Sequence, residues 1–387
     1  MFSRRSALSR LPNRLARAVD DCRRAQRPFL DLTVSNPTQC GLPYDAEALL
    51  SALSDPSALR YEPEPFGSKR ARETLAAELS GPGHEVHPER LLLTASTSEA
   101  YGYAFKLLCD AGDELLVPAP SYPLFEYLTR FEEIRAVPYR LVYDGSWHVD
   151  LESVRQARSA RSRGIVVVSP NNPTGSYLKR DELHALAKLG LPLISDQVFS
   201  TFPLVSDERR AASAAEAEDV LTFCMSGMSK LAALPQMKLA WTSLAGPASQ
   251  VEEALARLEL IADAYLSPST PVQVALPRLL AARAVTEAAL MARLRNNLQR
   301  LQQGLSASAT TPLFVEGGWY AVLRLPATHT EEDWVLSLLE QDGVLVQPGW
   351  FYDFETEPFV VLSLITDETS FATGVERIRE RTTSGRL

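Results

Sequence analysis

Cysteine is scarce: four residues, Cys22, Cys40, Cys109 and Cys224, in a chain of 387. No two are spaced as Cys-x-x-Cys, so neither a zinc ribbon nor a disulfide framework is expected, and buried thiols in a reducing compartment are. Histidine is scarce as well, with five residues. His84 and His87 stand close together, but they follow the turn-like Gly81-Pro82-Gly83 and lack a cluster of partner ligands, so no metal is expected. No stretch reaches the ~18 consecutive apolar residues of a membrane span. The basic start (Arg4, Arg5, Arg10, Arg14, Arg17) is not followed by the apolar core of a signal peptide, which makes the cytoplasm the expected location. Positive charge is in deficit: 39 Lys and Arg against 48 Asp and Glu give a net charge of −9. Such a surface repels phosphate backbones, so nucleic acid is not an expected partner. Internal repeats and low-complexity segments are absent.

What is present is the balance of a globular protein, 45% hydrophobic and 22% charged, which excludes wholesale disorder. At ~150 residues per domain the length fits two or three domains, or a large one with an appendage. From residue 91 short apolar runs recur: Leu91–Thr94, Glu114–Val117, Ile134–Val137, Ile165–Ser169, Leu193–Ser195, Leu221–Met225 and Leu239–Leu244. Helical stretches such as Glu99–Cys109 and Arg180–Leu189 separate several of them. Fully apolar strands alternating with helices predict an α/β fold, a seven-stranded, mostly parallel sheet covered by helices on both faces. Downstream, a long helical region over Pro271–Leu305 precedes apolar runs at Pro312–Val315, Trp319–Leu325, Val344–Val346 and Phe359–Ile365, the pattern of a smaller α+β domain. The expected division is an N-terminal segment, 1–45, packing with the small domain; a large domain, 46–275; and a small C-terminal domain, 276–387. Ala211–Glu218 reads as a short exposed helix or loop.

In open parallel sheets ligands sit beyond the carboxyl ends of the strands, so the residues after each run carry the chemistry. After the first come Thr97 and Ser98 in Thr94-Ala95-Ser96-Thr97-Ser98-Glu99, hydroxyls opening a helix, suited to an anion or to simple N-capping. After the second, Tyr122 is held between Pro120 and Pro123 as a rigid aromatic plate. After the fourth, Ser169-Pro170-Asn171-Asn172-Pro173-Thr174-Gly175 fixes an amide at a strand end. After the fifth comes Asp196, a carboxylate that is costly there unless it meets a positive partner. After the sixth, Lys230 ends Ser226-Gly227-Met228-Ser229-Lys230, with Lys238 eight residues on. A desolvated lysine in that position has a lowered pKa and can form a Schiff base.

The order cradle, plate, amide, carboxylate, lysine, second cation resembles the fold-type I pyridoxal-phosphate enzymes, and within them the class I/II aminotransferases, over Leu30 to Arg379. The most specific parts are Asn172-Pro173-Thr174-Gly175 and Ser226-Gly227-Met228-Ser229-Lys230. Tyr61-Glu62-Pro63-Glu64-Pro65-Phe66-Gly67 is similar to the family's Tyr…Gly segment. Gln347-Pro348-Gly349-Trp350-Phe351 is similar to its Pro-Gly-x-x-Phe turn, with the Phe one place early. The resemblance implies that an amino group moves from an amino acid to a 2-oxo acid through a Lys230 aldimine of pyridoxal 5′-phosphate. It implies that Asp196 pairs with the ring nitrogen, Asn172 donates to the phenolic oxygen and Tyr122 stacks on the ring. Thr97, Ser98, Ser229 and Lys238 would bind the phosphate. Tyr61 would reach the phosphate of a neighbouring subunit, which implies a homodimer with shared sites.

Three departures stand out. Lys238 replaces an arginine, keeping the charge but losing the bidentate fork. Phe199 replaces a tyrosine donor, which leaves more charge on the phenolic oxygen and predicts a raised aldimine pKa. Val361, in Phe359-Val360-Val361-Leu362-Ser363, replaces the arginine that grips the substrate carboxylate. Arg324 is the candidate substitute, with a structural ion pair as its other reading, and Asn36 in Ser35-Asn36-Pro37-Thr38 lines the substrate mouth. The loss at Val361 keeps open a lyase or decarboxylase of the same fold. A non-catalytic binding protein on this scaffold is the third reading; intact Lys230 and Asp196 stand against it.

Overall fold

In the computed structural model, residues 2–7, 11–81, 85–356 and 358–384 are described. Arg10, Pro82, Gly83 and His84 lie outside them. A short 3-10 turn, Arg4–Ser6, precedes the first α-helix, Arg14–Arg24, and a short strand β1, Leu30–Asp31. The seven apolar runs then all form strands: β2 (Leu91–Thr94), β3 (Glu114–Ala119), β4 (Arg135–Tyr143), β6 (Ser162–Val168), β7 (Leu193–Asp196), β8 (Thr222–Gly227) and β9 (Ala240–Ala245). An eighth, β5 (Trp147–Val149), pairs antiparallel with β4 at the sheet edge. It is too short to have produced an apolar run of its own.

The sheet order is β2-β9-β8-β7-β6-β3-β4-β5. Pairing is parallel through β8, β7, β6, β3 and β4, whereas β9 runs antiparallel to both β2 and β8. The inner strands are apolar throughout because successive side chains enter different cores. Leu115, Val117, Val166 and Ile194 pack with the helices Thr97–Leu108 and Ala248–Tyr265. Leu116, Ile165, Val167 and Leu193 pack on the other face with Val154, Leu183 and Leu186. Each such leucine or valine contributes about 1.5–3 kcal/mol when taken from water.

The predicted helical region at 271–305 is two helices, Thr270–Ala281 and Ala284–Gly304. They pack on different cores: Leu276 and Leu279 join Trp241 and Leu93 beside the large sheet, while Leu290, Leu294 and Leu301 join Val322 and Leu362. After them come β10 (Thr311–Pro312), β11 (Tyr320–Arg324), β12 (Val344–Leu345), β13 (Gln347–Pro348) and β14 (Phe359–Ser363). These build a four-stranded antiparallel sheet, β10-β11-β14-β13, and β12 pairs in parallel with β1. The segment Ala211–Glu218 is exposed only at Ala212 and Glu218: it holds a short turn, Ala214–Glu216, with Ala214, Ala215 and Ala217 buried in the core beside Val220 and Cys224. Alanine is used there because little room is left.

Candidate active site

The sheet topology gathers the predicted residues. The carboxyl ends of β2, β3, β6, β7 and β8 lie on one edge, because these strands all run the same way. β9 runs the other way, so its start lies on that edge too, and Thr94, Ala240 and Gly227 stand in one row across β2, β9 and β8. Thr97–Ser98, Tyr122, Asn172, Asp196, Ser229–Lys230 and Lys238 therefore share one border of the sheet.

Ser96 caps the helix Thr97–Leu108, its Oγ accepting from Glu99 N–H at 3.2 Å. Thr97 and Ser98 fill the first two helical positions, whose N–H groups have no acceptor within a helix. The cap and the anion cradle are thus different residues of one turn.

Asp196 ends β7. Its Oδ1 accepts from Val198 N–H at 3.1 Å and its Oδ2 from the Tyr101 hydroxyl at 3.2 Å. Burial pushes its carboxyl above the usual range, against those two donors and the nearby Lys230 ammonium. Lys230 ends up between aromatic rings, its Nζ 5.0 Å from the centre of Trp319 and 5.7 Å from that of Phe199. Burial holds its pKa below the usual lysine value, with Asp196 opposing. Both shifts have one cause: desolvation outweighs the mutual attraction of the pair.

The turn after β6 is organised by Asn171, whose Oδ1 accepts from Thr174 N–H at 3.3 Å and from the Thr174 hydroxyl at 3.0 Å. Asn172 is buried beside it. Gly175 has φ +71, and a Cβ there would lie 2.6 Å from Gly317 O, so only glycine fits this close approach.

The edge also carries buried polar atoms without partners: Ser121 Oγ, Asn171 Nδ2, Asn172 Oδ1 and Trp319 Nε1. Such atoms are costly and uncommon. Together with the desolvated side chains of Asp196 and Lys230, they fit a polar group with a ring N–H and an anionic arm, as pyridoxal 5′-phosphate has.

Other predicted residues are placed differently. Tyr61 is 66% exposed, in the loop before Gly67. Lys238 is exposed, in the left-handed region at φ 50. The Asn36 side-chain oxygen is engaged in capping, accepting from Thr38 N–H at 3.1 Å and Oγ1 at 2.7 Å; its segment is tied to β14 by Ser363 Oγ donating to Val34 O at 2.5 Å. Arg324 is exposed at the end of β11, four residues beyond Tyr320 and opposite Phe359. Trp319, next to Lys230, precedes the other end of that strand, so β11 carries Arg324 away from the lysine. Val361 is buried opposite Val322 and Gln347.

Two residues at the site had no assigned role in the sequence reading. Trp319 stands in the sequence only as the start of an apolar run. Tyr101 was missed, although its position four after Thr97 puts both on one helix face. Among the described residues, no three His, Cys, Asp or Glu side chains group as metal ligands.

Residues 27–372 match the family model for aminotransferase class I and II. The chain is 27% identical over 341 residues to the glutamate-pyruvate aminotransferase AlaA of Escherichia coli K12, covering 84% of this chain and 83% of that protein. It is 29% identical over 366 residues to the aspartate/prephenate aminotransferase of Thermus thermophilus, covering 92% of each. In fold it is similar to the alanine aminotransferase of Pyrococcus furiosus, with a TM-score of 0.88 at 21% identity and 100% of both chains covered.

Proposed function

The chain belongs to the class I and II aminotransferase family, and we propose that it transfers an amino group from an amino acid to a 2-oxo acid at the sheet edge around Lys230. The observation that carries this reading is the buried Asp196–Lys230 pair, set among polar atoms that lack partners.

Bound there, pyridoxal 5′-phosphate supplies a carbonyl carbon that accepts the amino group and, with its ring nitrogen protonated, a sink for the electrons of the substrate α-carbon. The rest is the work of the chain. Asp196 would hold the ring N–H and keep it protonated, which would offset the carboxylate's own desolvation. Lys230, whose pKa burial lowers, would hold the coenzyme's carbonyl carbon and would take and return the substrate α-proton at Nζ. Trp319 and Phe199 exclude water around that nitrogen. Thr97, Ser98 and Ser229 would donate to the phosphate, and Lys238 would balance its charge. Asn172 would donate to the phenolic oxygen, and Tyr122 would stack on the ring. Asn36 lines the mouth through the group its cap leaves free.

The reading extends to the assembly. Tyr61, exposed in one copy, serves the phosphate of a second, so the enzyme is a homodimer with shared sites. Residues 1–45 would pack with a small C-terminal unit, 276–387, beside a large unit, 46–275. The four free thiols suit a reducing cytoplasm.

The test is the visible spectrum of the full-length protein loaded with coenzyme, followed as a pool of amino acids is added. Bleaching of the yellow band with formation of 2-oxo acids is the expected result. A persistent band, or release of ammonia or carbon dioxide, would move the lyase or decarboxylase reading ahead.

A further inference from the structure

Tyr101 carries a buried hydroxyl that none of these steps uses. It stands in the helix Thr97–Leu108 and is 2% exposed. Its ring is tilted against Phe105 at 5.7 Å and meets Phe125 edge-on at 5.4 Å. Packing therefore sets where the hydroxyl lies. That hydroxyl donates to Oδ2 of Asp196 at 3.2 Å, while Oδ1 accepts from Val198 N–H at 3.1 Å. Each carboxylate oxygen thus has one protein donor, and the two donors come from different places, a helix and the turn after β7. The carboxylate is fixed in plane, with a second lone pair on each oxygen left for one more donor.

We infer that Tyr101 is a positioning residue, whose hydroxyl fixes the Asp196 carboxylate in the orientation that binds the coenzyme's ring nitrogen. This rests on the assignment of Asp196 to that nitrogen. The electrostatics agree with the geometry. Burial favours the neutral carboxyl, and the groups facing it — Tyr101, Val198 N–H and Lys230 — oppose that. Tyr101's own proton is secure, because burial and the Asp196 charge push its hydroxyl well above the usual range. Without the hydroxyl, Asp196 would lose one of its two protein donors.

The experiment uses the full-length protein and Tyr101→Phe, which keeps the ring contacts and removes one oxygen. The coenzyme dissociation constant is measured by equilibrium dialysis across a pH series, alone and with Asp196→Asn. Melting of the coenzyme-free protein serves as the folding control. Tyr101→Phe is expected to weaken coenzyme binding about tenfold, the scale of one hydrogen bond to a charged group. It should also move the acid limb of the binding profile to higher pH. In the Asp196→Asn background it should change binding less than about twofold, since no carboxylate remains to be held. Equal losses in both backgrounds would overturn the inference, because Tyr101 would then act by another route. So would an unchanged dissociation constant in Tyr101→Phe while Asp196→Asn weakens binding, an outcome that leaves the site assignment standing. If Asp196→Asn itself leaves binding unchanged, the assignment of Asp196 fails and the inference fails with it.

Discussion

Asp196 and Lys230 are each placed where their charge is costly, and that cost can be read in stability. Asp196 has its folded pKa raised above the unfolded value of 3.8. An acid so shifted binds its proton more tightly when folded, so stability is lost as pH rises from 3.8 towards the raised value, and the loss persists above it. Asp196→Asn is therefore expected to raise the melting temperature of the coenzyme-free protein at neutral pH, and to lose that advantage in acid. The same substitution should weaken coenzyme binding, so stability and affinity move in opposite directions. Scanning calorimetry with and without coenzyme checks both. Lys238→Ala should weaken coenzyme binding about tenfold in low salt and less in high salt, as expected of an exposed charge on a phosphate; titrations at two ionic strengths decide it. Most of these residues were legible because each follows an apolar run, and strand ends are where such a sheet binds. Tyr101 was not, since its role depends on a contact between a helix and a strand end 95 residues later. Arg324 was drawn to the site by its nearness to Trp319 in sequence, but an extended strand separates their ends.

At the scale of elements, the turn after β6 and the segment before β11 are locked together. Gly317 N–H donates to Gly175 O at 3.0 Å. Glu316 accepts from Lys179 Nζ at 2.7 Å and from Tyr177 N–H at 2.8 Å, and both of the charged side chains are buried. The next residues place Trp319 beside Lys230, so this ion pair supports the site at a distance. Glu316→Gln leaves the Lys179 charge unpaired and should cost about 3 kcal/mol in denaturant unfolding. Gly175→Ala combines a left-handed backbone with a clash against Gly317 O. It should cost more than about 2 kcal/mol and reduce coenzyme affinity through Asn172. The seven long strands were legible from continuous apolar runs, because burial on both faces removes polar alternation. The strand β5 and the break at Ala282–Arg283 were not. The first has only three residues, and the second marks a change of packing partner that leaves helical composition unaltered.

For the whole molecule, the site lies where two sheets meet. Lys230 follows β8 of the large sheet, and Trp319 precedes β11 of the small one, 5.0 Å apart as ring centre and Nζ. A ligand bound there touches both units and should raise the melting temperature in proportion to its concentration over its dissociation constant. The division into a parallel and an antiparallel part was legible in the change from strand–helix alternation to closely spaced strands. The proposed homodimer rests in the sequence on Tyr61, whose exposure fits a role in a second subunit. Light scattering should give twice the chain mass of 42.7 kDa, and Tyr61→Phe should weaken coenzyme binding without dissociating the dimer. The central claim is that the coenzyme is carried by Lys230, facing Asp196. It is tested most directly by reducing the coenzyme-loaded protein with borohydride and mapping the added mass by peptide mass spectrometry. The account predicts one label, on Lys230, lost in Lys230→Ala. A label on Lys179 or Lys238, or none at all, would contradict it.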